Sequence, residues 1–384
     1  MPDGDTPFVL FRDDLAGRDT VFRAPHGTII AESAGEFSAA LAAVEHARRA
    51  GKWLAGYFSY EAGYLFESKL APLLPTGRRV PLIAFGVFDE PIDEAIPRRP
   101  AAPTNGPIFD ARATWSFADY ETGFRRVHQH LREGDCYQVN LTFPVKAEWS
   151  GEPLAAFAAL TERQPVKYGA LVALGEPVIL SRSPELFFAI DADGIIETRP
   201  MKGTAPRGAT PAEDEQLKEF LRHDPKNQAE NRMIVDLLRN DVSRISRVGT
   251  LDVPELFHVE TYPTVHQMVS SVRAELLPGL TIAEIFAALF PCGSITGAPK
   301  IRAMEIIHAL EGTPRNAYCG AIGWIAPDGR MRFNVAIRTI SLFAGGQAVY
   351  NVGGGVVFDS EAEAEYRECL LKARFATGTE PSST

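Results

Sequence analysis

Three strand-like runs, AIGWIA (321–326), RFNVAIRTISLF (332–343) and AVYNVGGGVVF (348–358), crowd into the stretch between two helices at 299–310 and 361–375. That crowding constrains the architecture more than any other feature. Elsewhere strands and helices interleave without a strict βαβ rhythm, so a doubly wound fold is disfavoured. The predicted class is α+β, with large, mostly antiparallel sheets in a sandwich-like core and helices packed outside.

The segments read as follows. Residues 1–95 form an N-terminal region, with a helix at 36–50 stopped by Gly51 and an aromatic strand, WLAGYFSYEAGY, at 53–64. Residues 96–112, rich in Pro and Ala, read as a linker or a surface crossing. The main module spans 113–376 and a tail follows at 377–384. Within the module, Phe117, Tyr120, Phe124, Val127 and Leu131 recur at helical spacing behind a Ser116/Asp119 capping box. CYQVNLTFPVKA (136–147) reads as a strand, followed by a helix through 155–159 and strands at 170–174, 177–180 and 185–190. A long amphipathic helix is expected from Glu230 to Ile245, with Met233, Ile234, Leu237 and Leu238 inward. Further helices are expected at 281–290, 299–310 and 361–375, the first and last opened by Thr281/Glu284 and Ser360/Glu363 capping boxes.

Charge and composition exclude several functions. Lys and Arg number 39 against 49 Asp and Glu, a net charge of −10, which argues against nucleic acid as the partner. No apolar run is long enough to span a membrane, and the first ten residues lack the pattern of a signal peptide. Cys136, Cys292, Cys319 and Cys369 lie far apart, as scattered reduced thiols of a cytoplasmic protein do. An anionic substrate would require local reversal of the overall charge.

Phosphate-loop, dinucleotide and nucleophile-elbow signatures are all missing, so the sequence shows no hydrolase or glutaminase motif of its own. What it does show is charge in unusual places. Glu361, Glu365, Glu368 and Lys372 share one helical face. Alone, that is the solvated face of an ordinary helix; with Glu230 from a second helix it would suit Mg²⁺. Glu230 is placed at the start of its helix, where the dipole favours a carboxylate. Thr296-Gly297, ahead of Ala298-Pro299, and the run Gly353–Gly355 are anion-site candidates or plain turn and bulge geometry. Arg338 interrupts an apolar strand and must either pair internally or clamp a carboxylate. Lys202, on a turn between Pro200 and Gly203, is either an exposed lysine or a desolvated nucleophile.

Taken in order, GDCYQVNLTF (134–143), SRSPELFF (181–188), TRPMKGTAPR (198–207), AENRMIVDLLRND (229–241), GSITGAPKIRAMEII (293–307), YCGAIGW (318–324), FNVAIRT (333–339), GGGVV (353–357) and EYRECLLKA (365–373) resemble the chorismate-utilising enzymes. The resemblance covers nearly the whole chain. It implies that Glu230 and Glu368 ligate Mg²⁺, with Glu365 beside them. It further implies that Arg338, Lys372 and the Gly353, Gly354 and Gly355 amides bind substrate carboxylates. Thr296, Gly297, Thr204 and Gln138 would line the same pocket, and Tyr318 would contact the pyruvyl side. Glu185 matches the acid that protonates the departing C4 hydroxyl, and His266 a histidine near that hydroxyl.

Two positions divide the family. Isochorismate and salicylate synthases carry a lysine base where this chain has Gln138. Lys202 in PMKGT resembles the lysine of the aminodeoxychorismate synthase branch, where attack at C2 prepares amination at C4. Asn231 points the same way, whereas Met201 and Cys369 are departures that remove no ligand. The resemblance therefore implies Mg²⁺-dependent amination of chorismate without loss of pyruvate, ammonia coming from a separate glutamine amidotransferase subunit. Anthranilate synthase chemistry is the alternative, and a silent subunit that only docks a glutaminase is a third.

Overall fold

The computed structural model describes residues 6–92, 106–262 and 265–383. Two sheets of ten strands each dominate it. From edge to edge the first sheet runs Arg18–Arg23, Phe8–Asp13, Tyr168–Ala173, Val178–Ser183, Thr339–Leu342, Gln347–Val356, Gln138–Trp149, Ile108–Ala113 and Ser382–Ser383, and the short Gly297–Ala298 strand also pairs with Gln138–Trp149. The second runs Met201–Pro206, Val265–Glu275, Ile195–Arg199, Leu186–Ile190, Met331–Val335, Ala321–Ile325, Trp53–Phe58, Ile83–Phe88 and Gly27–Ala31, with Asp252–Thr261 pairing on Val265–Glu275. Pairing is antiparallel throughout, apart from Ser382–Ser383 against Ile108–Ala113.

Period-two alternation assigns each strand two different faces. On Gln138–Trp149 the apolar residues Val139, Leu141, Phe143 and Val145 pack outward against Tyr120, Phe124 and Val127 of the helix Phe117–Arg132 and against Tyr366, Cys369 and Ala373 of Ala362–Thr377. On Trp53–Phe58, Leu54 and Phe58 join the core under the helices Ala34–Arg49 and Ile282–Leu289, while Ala55 and Tyr57 face the other way. There they meet Val9, Val172 and Ile179 of the first sheet in a core between the two sheets. The result is a sandwich with helices outside, as the sequence predicted. Burial of a ring such as Phe58, whose neighbours include Phe286 at 4.1 Å between centroids, contributes about 1.5–3 kcal/mol.

Both sheets are built from distant parts of the chain. Phe8–Asp13 pairs with Tyr168–Ala173, and Trp53–Phe58 pairs with Ala321–Ile325. The N-terminal region is thus woven into the same two sheets as the main module. Most of the expected linker at 96–112 lies outside the described residues; its last part enters the strand Ile108–Ala113. No described helix is long and apolar enough to cross a membrane.

Several local expectations change. The helix expected to start at Glu230 starts at Pro225, capped by the Asp224 side chain, so Glu230 sits in its second turn and the dipole argument for it falls away. Met233 and Leu237 are only partly buried, and Asn231, Val235 and Asp241 face inward instead. Ser360 does not form a capping box with Glu363; the last helix is capped at Glu361, and the Ser360 hydroxyl donates to Glu365 at 2.7 Å. Gly353–Gly355 is an unbroken strand in register with Asn140–Thr142, not a bulge.

Candidate active site

The polar sides of the alternating strands build the site. Opposite the apolar row of Gln138–Trp149, the side chains of Gln138, Asn140 and Thr142 are buried and face away from the helices. Next to that strand, the glycine run removes side chains where others must pass. A Cβ on Gly354 would lie 2.9 Å from Glu365 Oε2, and one on Gly355 would meet the Gln138 amide at 3.0 Å. Lys372 Nζ donates to the Gly353 carbonyl at 3.0 Å and pairs with Glu368 at 2.7 Å.

Glu185 lies between the strands Val178–Ser183 and Leu186–Ile190 and is 4% exposed. Burial pushes its carboxyl up to about 7, against the opposing pull of the Ser294 hydroxyl, the Lys202 charge, the Met201 N–H and Arg338. Ser294 donates to Glu185 Oε1 at 2.7 Å from the short 3-10 helix Gly293–Ile295 that precedes Thr296. A carboxyl with this pKa holds a proton it can deliver near neutral pH.

Lys202 lies not on a turn but within the strand Met201–Pro206. The pairing register there shifts between Met201 and Thr204, and Gly203 adopts φ +96°. Such a bulge re-aims a side chain. Burial, and then repulsion from Lys372, lowers the Lys202 pKa, while Glu185, Glu230 and Glu368 oppose the shift. The same charges act on the acids. Lys372 leads in holding Glu368 below the usual carboxylate range, whereas burial raises Glu365, reinforced by the charges of Glu368 and Glu230. Two helices, one strand and two inter-strand segments thus bring Glu185, Lys202, Glu230, Arg338, Glu365, Glu368 and Lys372 into one electrostatic neighbourhood.

Arg338 sits between the strands Met331–Val335 and Thr339–Leu342, in the left-handed backbone region at φ +52°. Burial draws its pKa down to about 10, so it remains charged at neutral pH beside Glu185 and Tyr318. Tyr318 is itself buried, with its phenol pushed upward for the same reason.

Other expected positions have partners of their own. The Thr296 hydroxyl donates to the Cys292 carbonyl at 2.9 Å, and Thr296 O and Ala298 O accept from Asn140 and Tyr137 of the neighbouring strand. Gly297, at φ +138°, pairs with Val139, and a Cβ there would lie 2.2 Å from Gln138 O. The following helix starts at Lys300 with Pro299 as its cap, so Thr296-Gly297 extends a sheet and does not open the helix. Thr204 Oγ1 donates to Gln267 at 3.1 Å. His266 is buried, with Nε2 2.9 Å from Asp214 and Nδ1 3.0 Å from Thr261, and it makes no hydrogen bond to Glu185 or Lys202 among the described residues. Sequence reading missed Ser294, although it lies inside the quoted GSITGAPK string, and Lys226, whose charge also acts on Glu368.

A cage built wholly from protein ligands would need acids close together. Among the described residues the one trio with ligand atoms mutually within 4.8 Å is His130, Glu133 and Asp135, outside this site. Glu230, Glu365 and Glu368 are more widely spread. Their chemistry still fits Mg²⁺, which takes one or two carboxylates and keeps several waters. The Glu365 carboxyl, raised first by burial and then by the charges of Glu368 and Glu230, is the observation that supports the fit.

The chorismate binding enzyme family matches residues 6–378. The chain belongs to that family. It is 46% identical over 261 residues to aminodeoxychorismate synthase component 1 of Klebsiella aerogenes, covering 68% of this chain and 57% of that protein. Against the protein of the same name from Escherichia coli K12 the identity is 39% over 339 residues, covering 83% and 74%. The matched part is thus about six-tenths to three-quarters of those relatives' length. Among solved structures, anthranilate synthase component I from Streptococcus pneumoniae TIGR4 superposes with a TM-score of 0.78 at 26% identity, covering 98% of this chain and 93% of that one. The fold is therefore that of the anthranilate synthase component I structures.

Proposed function

We propose that the chain aminates chorismate at C4 with ammonia, giving 4-amino-4-deoxychorismate for 4-aminobenzoate and folate synthesis. The observation that carries this reading is Lys202, a desolvated amine held beside the raised acid Glu185 and across from the acid cluster. In the reaction, Lys202 Nζ bonds to C2 while the C4 hydroxyl leaves as water, taking the proton of Glu185. Ammonia then bonds to C4 and expels the lysine amine, so no pyruvate is lost. His266, oriented by Asp214, serves the hydroxyl side in this reading.

Arg338, Lys372 and the amides of Gly353–Gly355 bind the substrate carboxylates, with Gln138, Thr204, Thr296, Gly297 and Tyr318 lining the pocket. Glu230 and Glu368, with Glu365 beside them, would hold Mg²⁺, which when bound neutralises a carboxylate of the dianion. A separate glutamine amidotransferase supplies the ammonia, in keeping with the component 1 naming of the relatives. We place the protein in the cytoplasm on its four scattered free cysteines.

The likeness to an anthranilate synthase component I supports a second reading, amination with pyruvate elimination. Incubation with chorismate, Mg²⁺ and an ammonium salt separates the two. Aminodeoxychorismate without pyruvate is expected; anthranilate with stoichiometric pyruvate would overturn the first reading. No turnover would favour a docking subunit.

A further inference from the structure

Arg338 is held from behind by a residue that belongs to none of the motifs. Gln164 caps the C-terminus of the helix Pro153–Arg163. The two ends of an amide are told apart by their partners. Here the side-chain oxygen belongs toward Arg338, where it accepts from Nη1 and, at 3.1 Å, from Nε. No other hydrogen bond from this guanidinium is made among the described residues.

Gln164 is itself fixed by a second arginine. Its backbone carbonyl accepts from Arg182 Nη2 at 3.0 Å and from Nε at 3.3 Å, and Arg182 N–H donates to Arg338 O at 2.9 Å. Arg182 is fully buried over the Phe157 ring and forms an ion pair with Asp14, near the first hairpin. Asp14 also accepts from Val166 N–H at 2.7 Å, which anchors the segment just after Gln164. A buried pair of this kind is costly to break, so the chain of contacts is stiff.

We propose that Gln164 is a positioning residue that orients the Arg338 guanidinium toward a substrate carboxylate without neutralising it. A guanidinium offers five donors in one plane, and its best partner is a carboxylate meeting two of them in parallel. Gln164 occupies part of that plane with a neutral acceptor, which fixes the plane and adds no negative charge of its own to compete with the ligand. A glutamate at 164 would orient the group equally well but would compete with the ligand. The neutral amide is therefore the feature that matters, and it acts on substrate binding and not on the chemistry of Lys202 or Glu185. The proposal rests on the reading that Arg338 holds a carboxylate of chorismate.

The test uses the full chain with Mg²⁺. Calorimetric titration with chorismate gives Kd, and ammonium-dependent turnover gives KM and kcat, for wild type, Gln164→Met and Gln164→Glu. Loss of the charge-assisted contact to Nη1 and Nε predicts that Gln164→Met raises Kd and KM about tenfold, with kcat within about twofold of wild type. Gln164→Glu should raise both further, although it keeps an acceptor, and that ordering separates charge competition from simple loss of packing. Should Gln164→Met fail to fold, the rise in Kd for Gln164→Glu carries the test alone. Unchanged Kd and KM in Gln164→Glu, or a fall confined to kcat, would overturn the proposal while leaving the site intact. A wild-type protein that binds no chorismate would instead defeat the reading of the site, and the proposal with it.

Discussion

The Ser294 hydroxyl donates to Glu185 Oε1 at 2.7 Å, and this bond opposes the burial that raises the acid's pKa to about 7. As the proton donor, Glu185 must be protonated, so activity should fall as the pH rises through about 7. Ser294 stabilises the carboxylate. Its removal in Ser294→Ala should therefore move that descending limb upward, by about one unit for a hydrogen bond to a charged group. The measurement is kcat/KM against pH. A limb that stays in place or moves down would exclude Glu185 as the titrating acid.

Replacement of Lys202 by Ala should slow amination by about 100-fold or more, or divert product toward pyruvate elimination. It also removes a cation that holds Glu185 down, so any residual activity should persist to higher pH. Product analysis by chromatography checks both. Unchanged rate and product would eliminate the covalent role.

For Glu368→Ala the expectation is a Mg²⁺ requirement raised by about 100-fold or turnover lost outright, since loss of even an outer contact to a metal costs 10–100-fold. The Glu368 side chain is 55% exposed and its pair with Lys372 is a surface pair, so thermal stability should change little. Activity titrated against Mg²⁺, alongside a melting curve, distinguishes the two effects. Wild-type Mg²⁺ dependence would remove Glu368 from the metal site.

Glu61 is 1% exposed and is raised to about 7 by burial, though the Arg315 N–H donates to it at 2.7 Å. A carboxyl raised in the fold contributes stability below its unfolded pKa of about 4.5, and loses it as the pH rises through about 7. Glu61→Gln keeps the neutral form at every pH. The variant should exceed wild type by about 1 kcal/mol or less near pH 5 and by roughly 3 kcal/mol at pH 8, at 1.36 kcal/mol per unit. Urea unfolding at the two pH values measures the difference. Parallel curves for the two proteins would show that Glu61 does not titrate in this window.

Much of this was readable from residue order alone. The alternation of Val139, Leu141 and Phe143 with Gln138, Asn140 and Thr142 encodes a strand with one apolar and one polar face, and the structure uses both. The spacing of Glu365, Glu368 and Lys372 likewise fixes a shared helical face. The start of the Pro225–Ser243 helix was hidden because KNQAE, after Pro225, carries no apolar rhythm, although Asp224-Pro225 is itself a cap signal. The bulge that places Lys202 depends on its pairing with Val265–Glu275, which no local pattern records. Least legible of all is the run of contacts from Asp14 through Arg182 to Gln164 and Arg338. It joins three stretches of the chain, at Asp14, Gln164–Arg182 and Arg338, that carry no shared motif.

The weaving of the N-terminal strands into both sheets also sets a timetable. During synthesis, Trp53–Phe58 emerges roughly 260 residues before Ala321–Ile325, the strand that will cover its open edge. At about 5–20 residues per second, that edge stays bare for roughly 13–50 s. An apolar strand edge is a template for pairing with a neighbouring nascent chain. Yield in a producing cell should therefore respond to translation speed and chaperone supply more than to the stability of the finished protein.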